Sequence, residues 1–352
     1  MKGAGDHLAA IRRKRLLLLA LVLIMAGAAL FAAANGSAEL SVPEIFRALT
    51  GSGEKRVSII LFNVRLPRIA AAVVSGAGLA AAGCVMQTLL DNPLAGASTL
   101  GISQGAAFGA AFAIIVLGAG AAGSSSADGM TFSDPAGISV CAFVGSMLST
   151  GVILGLSRFR KISPQVMVLT GVALSSLFQG AASLMQYFAD EVKVSAVVFW
   201  SYGSLGSVTW REIGIMALAV AAAMVYFFLC RKGLNALLLG SRTAQSLGTD
   251  TDRLLLVGMT VCSALTSVIV SYVGIINFIG LIAPHMMRRF FGNDHRFLLP
   301  ASALAGSCLM LVSDTAARLI VKPTILPIGA ITSFLGAPLF LWLIFRTKTN
   351  KE

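Results

Sequence analysis

Charge is scarce in this chain. Of 352 residues, 15 are acidic and 27 basic, so Asp, Glu, Lys and Arg make up 12%, against about 25% in soluble domains. Catalytic signatures are absent as well. No G-x-x-x-x-G-K-[ST] occurs, and the nearest look-alike, Gly51-Ser52-Gly53-Glu54-Lys55-Arg56, lacks the Lys-Ser/Thr end that grips nucleotide phosphates and magnesium. No H-E-x-x-H appears, and His7, His285 and His295 do not cluster, so the latter two are expected to shape an inner loop rather than bind metal. The five cysteines include no C-x-x-C pair and sit in or beside apolar runs, as small buried side chains do. No Ser/His/Asp grouping is visible. The chain is read as no enzyme by itself, with no cofactor or metal bound directly.

What is present is apolar length. Hydrophobic residues make up 57%, and the mean hydropathy is +0.85. Charge-free windows cover 16–38, 69–90, 92–127, 135–157, 162–189, 213–230, 254–287, 297–313 and 323–345. A membrane helix needs roughly 20 such residues. Window 92–127 begins as a loop and then offers one crossing. Window 254–287 holds two, with a break near Gly274–Asn277. The expectation is an all-α polytopic membrane protein of about ten spans, residues 1–352 forming one transmembrane domain. Helices are required because open strand edges leave backbone groups unsatisfied in lipid.

The net charge of +12 is distributed, not pooled. With residues 1–15 inside, 18 of the 27 Lys and Arg fall in 1–15, 158–161, 231–253, 288–296 and 346–352. That is the positive-inside bias, and it puts both termini in the cytoplasm. It speaks for a lipid bilayer and against nucleic acid. Arg12-Arg13-Lys14-Arg15, the run Leu16–Ala34 and Asn35-Gly36-Ser37-Ala38 also fit a signal peptide. The orientation of the later spans favours an uncleaved first span.

Several short patterns punctuate the apolar runs. Arg65-Leu66-Pro67-Arg68 opens the second span, with Pro67 in a first turn. Asp314-Thr315-Ala316-Ala317-Arg318 closes the ninth, Asp314 being one turn from Arg318. These arginines are interfacial anchors or a docking point for carboxylates. Asn92-Pro93-Leu94-Ala95 and Ser163-Pro164-Gln165 lie at inner helix ends, as caps and turns or as a gate. Gly171, Ser175, Gln179, Ser183 and Gln186 make one small, weakly polar face, for packing or for lining a pathway. Gly101, Gly105 and Gly109 form a stripe for close helix approach. Residues 119–137 read as a flexible external loop. Trp200, Tyr202 and Trp210 suit an interfacial aromatic belt. Residues 233–252 form a cytoplasmic insert that composition alone reads as two short helices.

The stretch Gly280–Pro300 (GLIAPHMMRRFFGNDHRFLLP) closely resembles the late cytoplasmic junction of permease subunits in bacterial iron-siderophore, haem and cobalamin importers of the ABC class. Trp200-Ser201-Tyr202-Gly203-Ser204-Leu205 with Trp210, Leu326-Pro327-Ile328-Gly329 with Gly336-Ala337-Pro338, and the patterns above extend the resemblance over about residues 65–345. Ala97 departs from it, standing where the family usually has Pro.

The resemblance implies the type II importer fold in the bacterial cytoplasmic (inner) membrane. Its implied partners are a second copy of the chain, two ATPases carrying ATP and magnesium, and a substrate-binding protein. It makes Arg65 and Arg318 docking residues. It makes Gly240, Arg242, Ala244, Leu247 and Gly248 the ATPase-coupling segment. Asn92, Pro93, Leu94, Ser163, Pro164 and Gln165 become the gate, and Gly171, Ser175, Gln179 and Gln186 the pathway. Ferric siderophore is the first cargo by family base rate, with haem and cobalamin beside it. The rival is an ion-coupled secondary transporter, which would need an acidic group near mid-membrane that the apolar windows lack.

Overall fold

Small side chains decide the centre of the molecule. In the computed structural model, which describes residues 2–36, 41–123, 131–160, 163–321 and 324–348, helix follows helix: α1 (Lys2–Ala34), α2 (Val42–Leu49), α3 (Lys55–Ile60), α4 (Leu66–Leu89), α5 (Ile102–Ile115), α6 (Pro135–Arg160), α7 (Pro164–Tyr187), α8 (Glu191–Ser201), α9 (Trp210–Leu237), α10 (Ser241–Ser246), α11 (Thr251–Val273), α12 (Ile279–Phe291), α13 (His295–Leu319) and α14 (Ile328–Lys348). The middle helix is α4, packed by α13, α11, α12 and α9. Its run of Ala, Gly and Ser lets neighbours approach on every side. Gly76 meets the backbone of Gly306, and Gly83 meets Gly280 so closely that a Cβ would strike its carbonyl. A second cluster joins α5, α6 and α8. Two glycines of the expected stripe are at work there, Gly105 and Gly109 lying on the backbone of Gly145 and Cys141, while Gly101 is instead the left-handed N-cap of α5.

Seven helical segments among the described residues are long and apolar enough to cross a membrane: Ala9–Ala34, Lys55–Leu89, Pro135–Phe159, Pro164–Tyr187, Trp210–Leu237, Thr251–Val273 and His295–Leu319. Ile102–Ile115 and Ile328–Trp342 are apolar but shorter. At 13 residues α12 is shorter still. The expected break in window 254–287 falls at Gly274, whose φ is +79°, and Phe278 then starts α12 from the left-handed region. Large apolar side chains such as Leu169, Leu177, Leu218 and Leu229 are exposed on the flanks, the inside-out pattern of a membrane protein.

Four expectations need correction. The second span does not begin at Pro67. The chain is helical from Lys55 and passes through a π-turn at Leu61–Arg65 into α4. Proline offers no N–H to the preceding turn, and the wider π-turn just before it accommodates the lost bond. Trp200 is no belt residue. It is 8% exposed and sits in the α5–α6–α8 core, while Tyr202 and Trp210 are exposed and the Trp210 indole N–H donates to the Phe62 carbonyl. The 233–252 insert holds one short helix, because α9 continues through Gly233 to Leu237. The loop at 119–137 carries a two-stranded hairpin, β1 (Ala121–Gly123) against β2 (Thr131–Phe132). Residues 124–130 of it lie outside the described residues, as do Ser37, Ala38 and Lys161.

Candidate functional site

The two central helices α4 and α13 run antiparallel and are closed by polar contacts at both ends. Arg65 and Thr88 lie 23 residues apart on one helical run, about 34 Å at 1.5 Å per residue. At the first end, Asp314 is buried and accepts from Arg68 Nε at 2.7 Å and from Arg318 Nε at 3.0 Å. The sequence reading anticipates the Arg318 partner. It misses Arg68, which lies 246 positions away and gives no local signal.

Arg65 and Arg318 hold the last carbonyls of α1. Arg65 donates to Ala33 and Ala34. Arg318 donates to Asn35 at 2.9 Å and Ala32 at 3.4 Å. A helix C-terminus leaves four carbonyls without intrahelical donors, and cations favour that end of the dipole. The arginine group is thus a C-cap supplied by other helices. Arg65 is only 5% exposed, and the Arg318 side chain 10%. Two guanidinium groups share the Asp314 carboxylate and Arg65 stands near Arg318, so the cluster is positive.

The opposite end gathers the loops. Lys14 of α1 stands 5.3 Å from the Phe297 ring, which places the basic start of α1 beside the α12–α13 turn. The α9–α11 connection carries α10, flanked by Gly240 (φ +97°) and Gly248 (φ +81°), backbone conformations that suit glycine. Ala244 is buried and anchors it, while Arg242, Leu247, Leu238 and Leu239 are exposed. The five expected coupling residues therefore form one projecting tip.

The gate candidates also act as local structure. Asn92 Oδ1 accepts from Leu94 N at 2.9 Å, an Asx turn, and Pro93 and Leu94 are exposed. Ser163 caps α7 by accepting from Val166 N, with Pro164 as its first residue and Gln165 exposed. Beyond Leu94 the chain turns under α7, where Gly171 packs on the backbone of Thr99 and Leu100. A cavity of about 240 Å³ lies between this loop and the Gly274–Phe278 break, bordered by Gly83, Ala97, Ser98, Asn277 and Phe278.

The four pathway candidates divide by burial. Gly171 is buried. Ser175 and Gln186 are half-buried and bond to carbonyls of their own helix, Gly171 at 2.8 Å and Ala182 at 3.2 Å. Gln179 is exposed, as is Ser183. Two resemblance motifs that are distant in sequence meet at the break: Ser204 N donates to Val273 O at 2.8 Å, and Gly329 N to Tyr202 O at 3.0 Å.

Bundled helices with lipid-type flanks and a polar cluster at each end define a polytopic membrane transport protein. The chain belongs to the FecCD transport family, which it matches over residues 13–346. It is 47% identical over 317 residues, 90% of either chain, to a protein of Methanocaldococcus jannaschii named as an ABC transporter permease. It is 34% identical over 343 residues, 96% of this chain and 98% of the other, to the hemin transport system permease of Yersinia pestis. Vitamin B12 and iron chelatin permeases are further relatives. A solved structure described as an inward-facing metal-chelate type ABC transporter superimposes with a TM-score of 0.82 at 29% identity, covering 94% of this chain and 99% of that one. Permeases of this family are not themselves enzymes.

Proposed function

We propose that this chain is the membrane subunit of an ATP-driven importer that takes a metal chelate from a binding protein to the cytoplasm. The observation that carries the reading is the two-ended layout. A positive arginine cluster stands at one end of the α4–α13 pair, and beyond the other end the chain projects a loop tip with Leu238, Leu239 and Leu247 exposed. An exposed apolar tip on a short helix suits insertion into a partner's groove. That partner is a separate ATPase, which supplies ATP and magnesium.

Ten spans result if α5, α12 and α14 complete the seven long helices, with the 92–101 loop and the Gly274–Phe278 break finishing the two shortest. Irregular backbone at that depth is tolerated where it is buried in protein or lines a cavity. Both termini are then cytoplasmic, in the inner membrane. Two copies pair, and the exposed strip of α7 with Gln179 and Ser183 faces the pathway between them. A neutral wall lets a bulky chelate pass without holding it. Ferric siderophore is the first cargo, haem and cobalamin the others, in keeping with the relatives' names.

Arg65 and Arg318 form the docking end, with Arg68 and Asp314 fixing their geometry. Acidic side chains on a binding protein would complete the charge of this cluster. In the reconstituted complex, Arg65→Glu and Arg318→Glu should abolish stimulation of ATP hydrolysis by the binding protein while the ATPase still co-purifies. Unchanged stimulation would remove the docking role.

A further inference from the structure

A chain of hydrogen bonds, fully buried at its His295–Thr88 link, joins three helix ends at the loop end. Asn235 lies near the end of α9, five residues before Gly240. Its side-chain oxygen accepts from the His295 backbone N–H at 2.9 Å and faces His295 Nδ1 at 2.7 Å, so Nδ1 carries a proton. Its amide nitrogen donates to Asp294 Oδ1 at 2.9 Å. On the far side of the ring, His295 Nε2 meets the Thr88 hydroxyl at 3.0 Å. Thr88 is in the last turn of α4, four residues before Asn92. His295 is wholly buried, and Thr88 is 6% exposed.

Capping α13 does not require this chain. Asp294 Oδ1 already takes the Arg296 N–H at 3.0 Å, as an N-cap does. Asn235, the imidazole and the Thr88 hydroxyl add bonds that cross from helix to helix. Polar groups are costly to bury unless paired, and paired they fix one geometry. Apolar helix faces can slide past one another; short directional bonds cannot stretch without breaking. The elements so fixed are the base of the α10 tip and the base of the 92–101 loop.

We infer that Asn235, His295 and Thr88 are positioning residues that pass displacement of the 238–248 tip to the 92–101 loop. The inference rests on the proposed function, in which the first segment meets the ATPase and the second is the gate. Hydrogen exchange on the full permease–ATPase complex tests it, comparing the nucleotide-free state with ATP plus vanadate. In the unaltered complex, peptides from both 238–248 and 92–101 should change protection. In Asn235→Leu and Thr88→Val, the change at 238–248 should persist while that at 92–101 falls about fivefold, the factor that accompanies one hydrogen bond. Thr88→Ser, which keeps the hydroxyl, should restore it. Thr88→Val exchanges one hydroxyl for a methyl, so it keeps the test open if Asn235→Leu does not fold.

Undiminished change at 92–101 in the variants would overturn the relay. So would loss at 238–248 as well, since the network would then merely hold the tip. No response at 238–248 in the unaltered complex would instead refute the importer reading, and the relay with it.

Discussion

Individual residues show where a single sequence is informative and where it is silent. Asp314 and Arg318 are four apart on one helix, and their pairing is legible from spacing alone. Arg68 on the same carboxylate and Arg65 on the carbonyls of α1 are not, because the partners come from distant helices. Since Asp314 is buried between two arginines, Asp314→Asn should lower thermal stability in detergent by about 3 kcal/mol, the cost of stranding a buried charge. An unchanged melting midpoint would contradict that geometry.

Asp294 gives a pH prediction. Its partial burial raises the carboxyl pKa, but the Arg296 backbone N–H and the Asn235 amide, with Lys14 and His295 nearby, outweigh that, and the pKa lies below the ordinary carboxylate value. A group depressed on folding contributes stability above its unfolded pKa, about 3.9 for Asp. That contribution is lost as pH falls through the lower folded value. Asp294→Asn should therefore flatten the acid limb of a stability–pH curve and leave the slope near neutral pH unchanged.

Whole elements were easier to read than their ends. Charge-free windows mark the apolar helices because lipid demands a long uncharged run, and Gly274 marks the break because its backbone conformation suits glycine. The start of the second span was hidden, since Pro67 signals a first turn while a π-turn carries the helix across it. Trp200 was hidden too, because an aromatic side chain beside an apolar run looks the same whether it faces lipid or protein. The small-residue run of α4 predicts close packing but not its partners; the structure supplies Gly280 and Gly306. Gly83→Ala should cost about 1–3 kcal/mol, the range for overpacking. The added Cβ meets backbone, which cannot turn aside. Gly27, inside α1 with nothing within 4 Å of its would-be Cβ, is the control: Gly27→Ala should not lower the midpoint in the same melting assay, since Ala is the better helix former.

At the scale of the whole molecule, a small-residue core joins two polar ends. One end holds two arginines on one carboxylate, with Arg65 beside them on the end of α1. The other holds an exposed apolar tip beside a hydrogen-bond chain that ends in the buried His295–Thr88 pair. Family membership was legible because several short patterns occur in the right order, and the structure shows why some of them share that order: the Trp200–Leu205 and Leu326–Gly329 segments meet at one break. The proposed function stands or falls on whether a separate ATPase drives this chain. The most direct measurement is purification together with the proteins encoded beside it, followed by mass determination and assay of ATP hydrolysis. The expected result is a stable complex of two permeases and two ATPases whose hydrolysis rises with a loaded binding protein. A chain that purifies alone and moves its solute under an ion gradient would contradict it.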